Sequence, residues 1–405
     1  MVGHQRVQGE PFVSDHRRRA AGFAVAACVA ALVVSPGSVL APTPAQAAAC
    51  RPTPSLLTRA STVVPLLGGA AARVWDTGVT PSNPQASTRL VAVTVPRSSP
   101  AHARVLAASS LTAARTPSAY LSSARTPVVM VNGGVFDASR GALPLLPQMV
   151  GGRVTKARYV HEAVITVGPD GTSSPDHLWL SGTATAAGHS VGLTGLNWQS
   201  VTGTGLNAYT PAWGPQRRPY GTVDVVVTGG RVTAVRAGSA RGAAPRAGQT
   251  VLTATGTAGA WLARLRVGTA MTVSYRAVTD ARHPVRDAVG RGARYVLHGA
   301  VQGGACLTRD ELLRPRTAVG WRANGDLVVV AVSGRALVNG VRYGGATIHQ
   351  MADYLHQLGC VEATALDGGG STTLLARRAG TGAVVRLDRS MAEAQRAVPN
   401  VLALG

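Results

Sequence analysis

The chain has 405 residues, of which 45% are apolar, 14% charged and 4% aromatic. That composition supports a folded body of one large or two smaller domains and argues against a chain disordered throughout. The formal net charge is +22, and Lys156 is the only lysine, which excludes a Walker A phosphate loop and leaves Lys156 as the one residue a Schiff-base enzyme could use. An all-arginine excess beside heavy Ala, Val and Gly use has the mark of a GC-rich coding bias. What remains functional in it is an expected affinity for polyanions, a phosphorylated glycan or an anionic wall polymer first among them. Nucleic acid is not expected as a partner, because aromatic residues are sparse and the arginines are dispersed without a recognisable reading module.

Arg17, Arg18 and Arg19 precede an apolar stretch from Ala20 to Leu40, and Ala45-Gln46-Ala47 follows as an A-x-A cleavage site. This is the order of a secretory signal, so residues 1–47 read as a signal peptide and the mature protein as secreted or cell-wall associated. An uncleaved membrane anchor is the alternative, and no other segment is a candidate span. Cys50, Cys306 and Cys360 remain after cleavage, an odd number that suggests one disulfide and one free thiol. Cys306 to Cys360 is the preferred pair because each flanks a glycine-rich or arginine-bearing motif. No cysteine or histidine set has zinc spacing.

Residues 48–89, with Pro52, Pro54 and Pro65, read as a linker or N-terminal arm, and the body begins near Leu66 or Leu90. Leu90 to Val95 is a strand. A helical segment near Ser118 to Ala124 leads into the buried strand Val128 to Val131, which ends at Asn132-Gly133-Gly134. The stretch 163–278 is rich in Thr, Gly and Val, and Val223 to Thr228 with Arg231 to Val235 reads as a hairpin. Tyr295 to Leu297 and Leu327 to Val332 are further strands. Between Thr347 and Leu358 the apolar residues fall on one helical face, with Thr347 and Gln350 spaced as a capping box and Gly359 as the stop. Val361 to Leu366 is then a strand that ends in Asp367-Gly368-Gly369-Gly370-Ser371. The whole predicts an α+β fold of mixed sheets with a few packed helices and a β-rich middle subdomain or insertion.

Three polar clusters lie at strand ends: Asn132 to Phe136, Arg314 to Gly320, and Asp367 to Thr373. Three glycines after an aspartate let the backbone approach a ligand and aim N–H groups at it, which suits an anion. Arg316 can fork two donors onto a phosphate, and Asp367 can act as base or nucleophile. Gly188-His189-Ser190-Val191-Gly192 also matches the GxSxG elbow of serine hydrolases, although the flanking segments offer neither the strand nor the helix that an elbow needs.

Taken in order, these segments resemble the phosphodiester glycosidase family, whose animal member is the mannose 6-phosphate uncovering enzyme, N-acetylglucosamine-1-phosphodiester alpha-N-acetylglucosaminidase. The matching pieces are Asn132-Gly133-Gly134-x-Phe136, Pro315 to Gly320, the helix at Gly344 to Gly359, Asp367 to Thr372 and Arg396-Ala397-Val398-Pro399-Asn400. Gly195 to Asn197 and Tyr209 to Gly214 are similar to bacterial members, so the resemblance covers residues 90–405. Where many members have Asp-Gly-Arg, this chain has Ser333-Gly334-Arg335, which removes a carboxylate from position 333.

The resemblance implies an exported hydrolase that cleaves a sugar 1-phosphodiester in a surface or extracellular glycan. A phosphomonoester is a good leaving group, so the reaction asks mainly for charge neutralisation on phosphate and a positioned carboxylate or water. On that basis Arg316 and Arg335 are expected at the phosphate and Asp367 as nucleophile or base. The Gly368, Gly369, Gly370 and Ser371 backbone would bind oxygen, and Asn132, Thr317 and Asn400 would orient the groups, with Gly133 and Phe136 beside the substrate. Asp137 and Glu362 are the candidates for a second carboxylate. No cofactor is required, although a divalent cation bridging Asp367 and phosphate is compatible with these residues. A non-catalytic binding module for anionic glycan is the competing expectation, and convergence of Arg316 with Asp367 on one pocket is the feature that would separate the two.

Overall fold

The computed structural model describes residues 50–77, 88–121, 127–302, 306, 312–334, 337–338, 341–342, 344–389 and 394–405. The expected signal peptide at 1–47 and Arg335 lie outside the described residues, and so does part of the helix expected at 118–124, of which Pro117–Tyr120 is described as helical.

Strands dominate. An eight-stranded antiparallel sheet runs in the order Thr62–Pro65, Ala71–Asp76, Arg89–Val95, Leu327–Ser333, Arg316–Arg322, Cys360–Ala365, Arg294–Leu297, Ala300–Val301. Its central strands are apolar on both faces because both are covered. Val91, Val93, Val319, Val329 and Ala331 pack into one core. Their neighbours Leu90, Ala92, Ala318, Val328 and Val330 pack into another with Met351, Ala352, Tyr354 and Leu355. The continuous runs of valine and alanine in these strands are what double burial demands. The covering helix is Ile348–Gln357, and it starts as its sequence predicts: the Thr347 hydroxyl accepts from Gln350 N, and the Gln350 side chain accepts from Thr347 N.

On the other side of the eight-stranded sheet lies a five-stranded sheet, in the order Val384–Arg386, Leu374–Arg377, Val129–Asn132, Asn400–Leu404, Ala103–Ala107. Val105, Val129, Val131, Leu374, Leu402 and Leu404 complete the core between the two sheets. The middle of the chain builds a twelve-stranded sheet that also takes in Gln148–Val150, Arg153–Arg158 and Asp287–Gly290. In it Val223–Thr228 and Arg231–Arg236 form a hairpin, with Gly229 and Gly230 both left-handed (φ 58° and 72°), as a two-residue turn of this hand requires. Helical content beyond Ile348–Gln357 is small, with Gly256–Ala263 the other helix of two turns. Among the described residues no helix is long and apolar enough to cross a membrane.

Two expectations are corrected. The arm assigned to 48–89 contributes two paired strands, Thr62–Pro65 and Ala71–Asp76, to the eight-stranded sheet, because Ala72 and Val74 carry apolar side chains into its core. The disulfide joins Cys50 to Cys306 rather than Cys306 to Cys360. Cys50 is brought there by the docking of the following residues on the covering helix, where Gln350 donates to Pro52 O and Thr53 to Asp353. Cys360 opens a strand, is buried and is a free thiol. The GxSxG match, already doubtful as an elbow from its flanks, forms none: His189–Gly192 is a strand paired with Thr183–Ala186, and Ser190 Oγ meets Thr185 Oγ1 at 2.7 Å on the exposed surface.

Candidate active site

The polar clusters come together where two sheets end. Val129–Asn132 of the five-stranded sheet stops at Gly133, Arg316–Arg322 of the eight-stranded sheet begins at Pro315, and Cys360–Ala365 runs out into Asp367. Asn132 ties the three. It is fully buried, its Nδ2 donates to Asp367 O at 2.6 Å, and its Oδ1 accepts from Thr317 Oγ1 at 2.9 Å and from Thr373 N at 3.2 Å. Thr317 Oγ1 also lies 3.2 Å from Thr372 Oγ1. The backbone closes the same knot, with Asp367 N donating to Gly133 O, Leu366 N to Thr317 O and Gly369 N to Pro315 O.

Asn400 holds the Asn132-Gly133-Gly134 turn from the other side. Its carbonyl accepts from Gly133 N, its Oδ1 accepts from Gly134 N at 3.1 Å, and its Nδ2 donates to Gln148 Oε1 at 2.7 Å. Neither glycine can carry a side chain. A Cβ on Gly133 would sit 1.9 Å from Asn400 Oδ1, and one on Gly134 2.4 Å from Gly290 O. Asn132, Thr317 and Asn400 are therefore positioning residues, all buried, which shape the turn on which Asp367 is displayed. Phe136 packs against the Tyr120 and Met130 core beneath it.

Asp367 is partly buried, and burial pushes its carboxyl above the usual aspartate range. Ser371, the Gly368 N–H at 3.0 Å and Arg396 oppose that shift by favouring the anion. The Ser371 contribution is weak, because its fully buried hydroxyl makes no well-formed hydrogen bond. A carboxylate moved towards neutrality is a better proton acceptor than a solvent-exposed one.

Arg316 does not join this group. Adjacent strand residues face opposite ways. Thr317 turns to Asn132, so Arg316 turns to the helix side, where its Nε donates to Ala346 O at 3.0 Å and its Nη2 to Leu312 O at 3.1 Å. The cation beside Asp367 is Arg396. A Cβ on Gly370 would fall 2.8 Å from Arg396 Cζ and Nη2, so the guanidinium lies against the Gly370 backbone. Arg396 is solvent-exposed. Gly369, left-handed at φ 60°, has open space where a side chain would be. Arg396 opens the Arg-Ala-Val-Pro-Asn segment, but sequence spacing alone gave no sign that it would reach back to the glycine run.

The second-carboxylate candidates are occupied elsewhere. Glu362 pairs with Arg294 at 3.2 Å and with His298 at 3.0 Å. Asp137 caps the turn after it through Ser139, and those hydrogen bonds, with Arg140 nearby, keep its carboxyl below the usual range. Position 333 is a buried serine whose Oγ accepts from Arg389 N. Lys156 is fully buried under the Trp198 ring, its pKa lowered well below the ordinary lysine value by burial, with no surface through which to meet a carbonyl substrate. Among the described residues the one grouping of three side chains with metal-ligand atoms is Cys50, Cys306 and His349, and two of these are bonded to each other.

Residues 221–404 match the phosphodiester glycosidase family. This domain carries Arg316, Thr317, Asp367, the glycine run, Arg396 and Asn400, while Asn132 and its turn come from the chain before it. Over 58 residues the chain is 43% identical to an uncharacterized SPbeta prophage-derived protein of Bacillus subtilis, a match that spans 14% of this chain and 8% of that protein. The fold is shared with a solved protein of unassigned function from Synechocystis (TM-score 0.66, 24% identity, 85% of this chain and 64% of that one). It is shared also with a Burkholderia pseudomallei protein whose name refers to export (TM-score 0.61, 19% identity, 78% of this chain and 74% of that one). The chain thus spans somewhat less than two thirds of the Synechocystis structure.

Proposed function

We propose that the protein is an exported hydrolase that cleaves a sugar 1-phosphodiester in a cell-surface or extracellular glycan and releases free sugar. The observation that carries this reading is Asp367, its carboxyl held above the usual range, on the same glycine loop against which the exposed guanidinium of Arg396 lies at Gly370. A carboxylate and a cation on one glycine-rich loop, with room beside Gly369, suit a substrate with an anomeric carbon next to a phosphate. The family match over 221–404 supports the reaction class.

In the proposed step a water attacks the anomeric carbon and gives its proton to Asp367. The bond from that carbon to the bridging oxygen breaks, and the phosphomonoester leaves with the bonding pair. Arg396 offsets the charge that grows on phosphate, and the Gly368 to Ser371 backbone borders the oxygens. Arg316 takes no direct part. A leaving group with so low a pKa needs no protonation, which agrees with the diversion of Glu362 and Asp137 into other pairs.

The test is free-sugar release from a panel of sugar 1-phosphodiesters, UDP-N-acetylglucosamine included, by mature protein and by Asp367→Asn. Turnover that falls by about 10³-fold or more in the variant, with binding retained, supports the hydrolase. Absence of turnover across the panel, with equal binding of anionic glycan by both proteins, would replace it with a non-catalytic binding module.

A further inference from the structure

Charge is distributed unevenly along the chain. Between Asp176 and Asp280 there are nine arginines and a single acid, Asp224. That acid is wholly buried in an ion pair with Arg218, with an N–O distance of 2.6 Å. The other eight arginines have no carboxylate partner among the described residues, and Arg236, Arg246, Arg264, Arg266 and Arg276 make no side-chain hydrogen bond there either.

On this lobe lies a groove of about 680 Å³, bordered by Arg153, Thr155, Thr210, Pro211, Tyr275 and Arg276, within the size range of small-ligand sites, about 300–1000 Å³. Arg153 and Arg276 are exposed with no hydrogen bond or ion pair to a described residue, and Tyr275 is 37% exposed beside Arg153. The groove is wired to the catalytic turn through one residue. Gln148 accepts from Asn400, which holds Gly134, and it also bonds the groove residue Thr155, donating to its Oγ1 at 3.2 Å and accepting from it at 3.1 Å.

We propose that this groove is an anion subsite for a phosphodiester-bearing glycan, holding a stretch of polymer remote from the bond being cut. The proposal rests on the hydrolase reading for what happens next door, but not for the binding itself. Two unpaired arginines bordering the groove, with the Tyr275 ring beside Arg153, suit alternating phosphate and sugar. A single-stranded nucleic acid would call for successive aromatic platforms, and the groove has one.

The test uses the mature protein and Arg153→Gln/Arg276→Gln, two exposed substitutions outside the catalytic group. In an Asp367→Asn background, the probes are a phosphomannan linked through mannose 1-phosphodiesters, its dephosphorylated mannan, and an oligothymidylate of matched phosphate number, each titrated at 50 and 200 mM salt. With Asp367 intact, turnover of a monomeric sugar 1-phosphodiester is followed alongside. The expected result is phosphomannan affinity weakened about tenfold or more in the double variant with a shallower salt dependence, little binding of mannan, weaker binding of oligothymidylate, and monomer kcat/KM changed less than about twofold. The proposal is overturned if the double variant binds phosphomannan as the parent does, if mannan binds equally well, if oligothymidylate binds as tightly and is lost in parallel, or if monomer turnover falls as far as polymer binding. No monomer turnover by the parent, with phosphomannan binding still sensitive to the two arginines, upholds the groove and removes only the hydrolase reading.

Discussion

Asn132 donates to the carbonyl of Asp367 across 235 positions of sequence, and this one 2.6 Å bond ties the backbone of Asp367 to the Asn132-Gly133-Gly134 turn. Its other amide atom receives both the Thr317 hydroxyl and the Thr373 N–H. A buried amide that serves three strand ends is hard to replace. Asn132→Ala removes the side-chain partner of Thr373 N and of Asp367 O, leaves the Thr317 hydroxyl only Thr372, and should cost about 3 kcal/mol in urea unfolding. Asn132→Asp keeps the acceptor and loses the donor to Asp367 O, so it should destabilise as well. A variant as stable as the parent would mean that water replaces the side chain and that Asn132 is not the organising residue.

Arg316 and Arg396 should separate cleanly by experiment. Arg316 braces Ala346 and Leu312, so Arg316→Gln should lower Tm by about 2–4 °C. Arg396 makes no brace among the described residues, so Arg396→Gln should leave Tm within about 1 °C and lower kcat/KM by about 10²-fold. Gly370→Ala offers a second handle, because the three atoms nearest its methyl group all belong to the Arg396 guanidinium, which it would displace. It should behave like Arg396→Gln. Calorimetry and sugar release on the three variants decide the assignment, and it fails if Arg316→Gln alone loses turnover.

The cysteines give a chemical count. Cys360 is buried, and its thiol is pushed up to about 12 by burial, so it should be inert to thiol reagents in the native protein. A chain beginning after Ala47 should show no reactive thiol when folded, one when unfolded without reductant, and three after reduction, since Cys50 and Cys306 are joined. Peptide mapping of the unreduced digest should link Cys50 to Cys306. A Cys306 to Cys360 link would contradict the fold around the covering helix.

The sequence spoke most clearly where local chemistry and burial agree. The helix Ile348–Gln357 announced itself through its capping box and apolar face, and the central strands through valine runs that only two-sided burial explains. Asn132, Thr317, Asp367 and Asn400 were legible as polar residues at strand ends. The partner of Asp367 was not, because Arg316 and Thr317 look alike in sequence but face opposite sides of one strand. The N-terminal strands hid for a different reason: Pro65 sits in an edge strand, where a missing N–H is tolerated, yet reads in sequence as linker. The choice of Cys50 over Cys360 depends on docking across 256 positions, which no local pattern encodes.

Asp367 should leave a pH signature in stability as well as in rate. Burial raises its carboxyl above the unfolded value of 3.8, so the native state holds the proton more tightly than the unfolded chain does. The contribution of this group to stability is therefore greatest in acid and declines as pH rises from near 4 through the raised native value, above which the penalty is complete. Asp367→Asn removes the charge while keeping an oxygen to accept from Gly368 N. The variant should be the more stable protein at pH 7, by about 2 °C in Tm, and the difference should close as pH falls to 4 and below. Turnover moves the other way: a base must be ionised, so the acid limb of kcat/KM should lie above the ordinary aspartate range. A variant less stable than its parent at pH 7, by a margin that pH does not alter, would show that the carboxylate is held by attraction rather than strained by burial, and the case for Asp367 as the base would weaken with it.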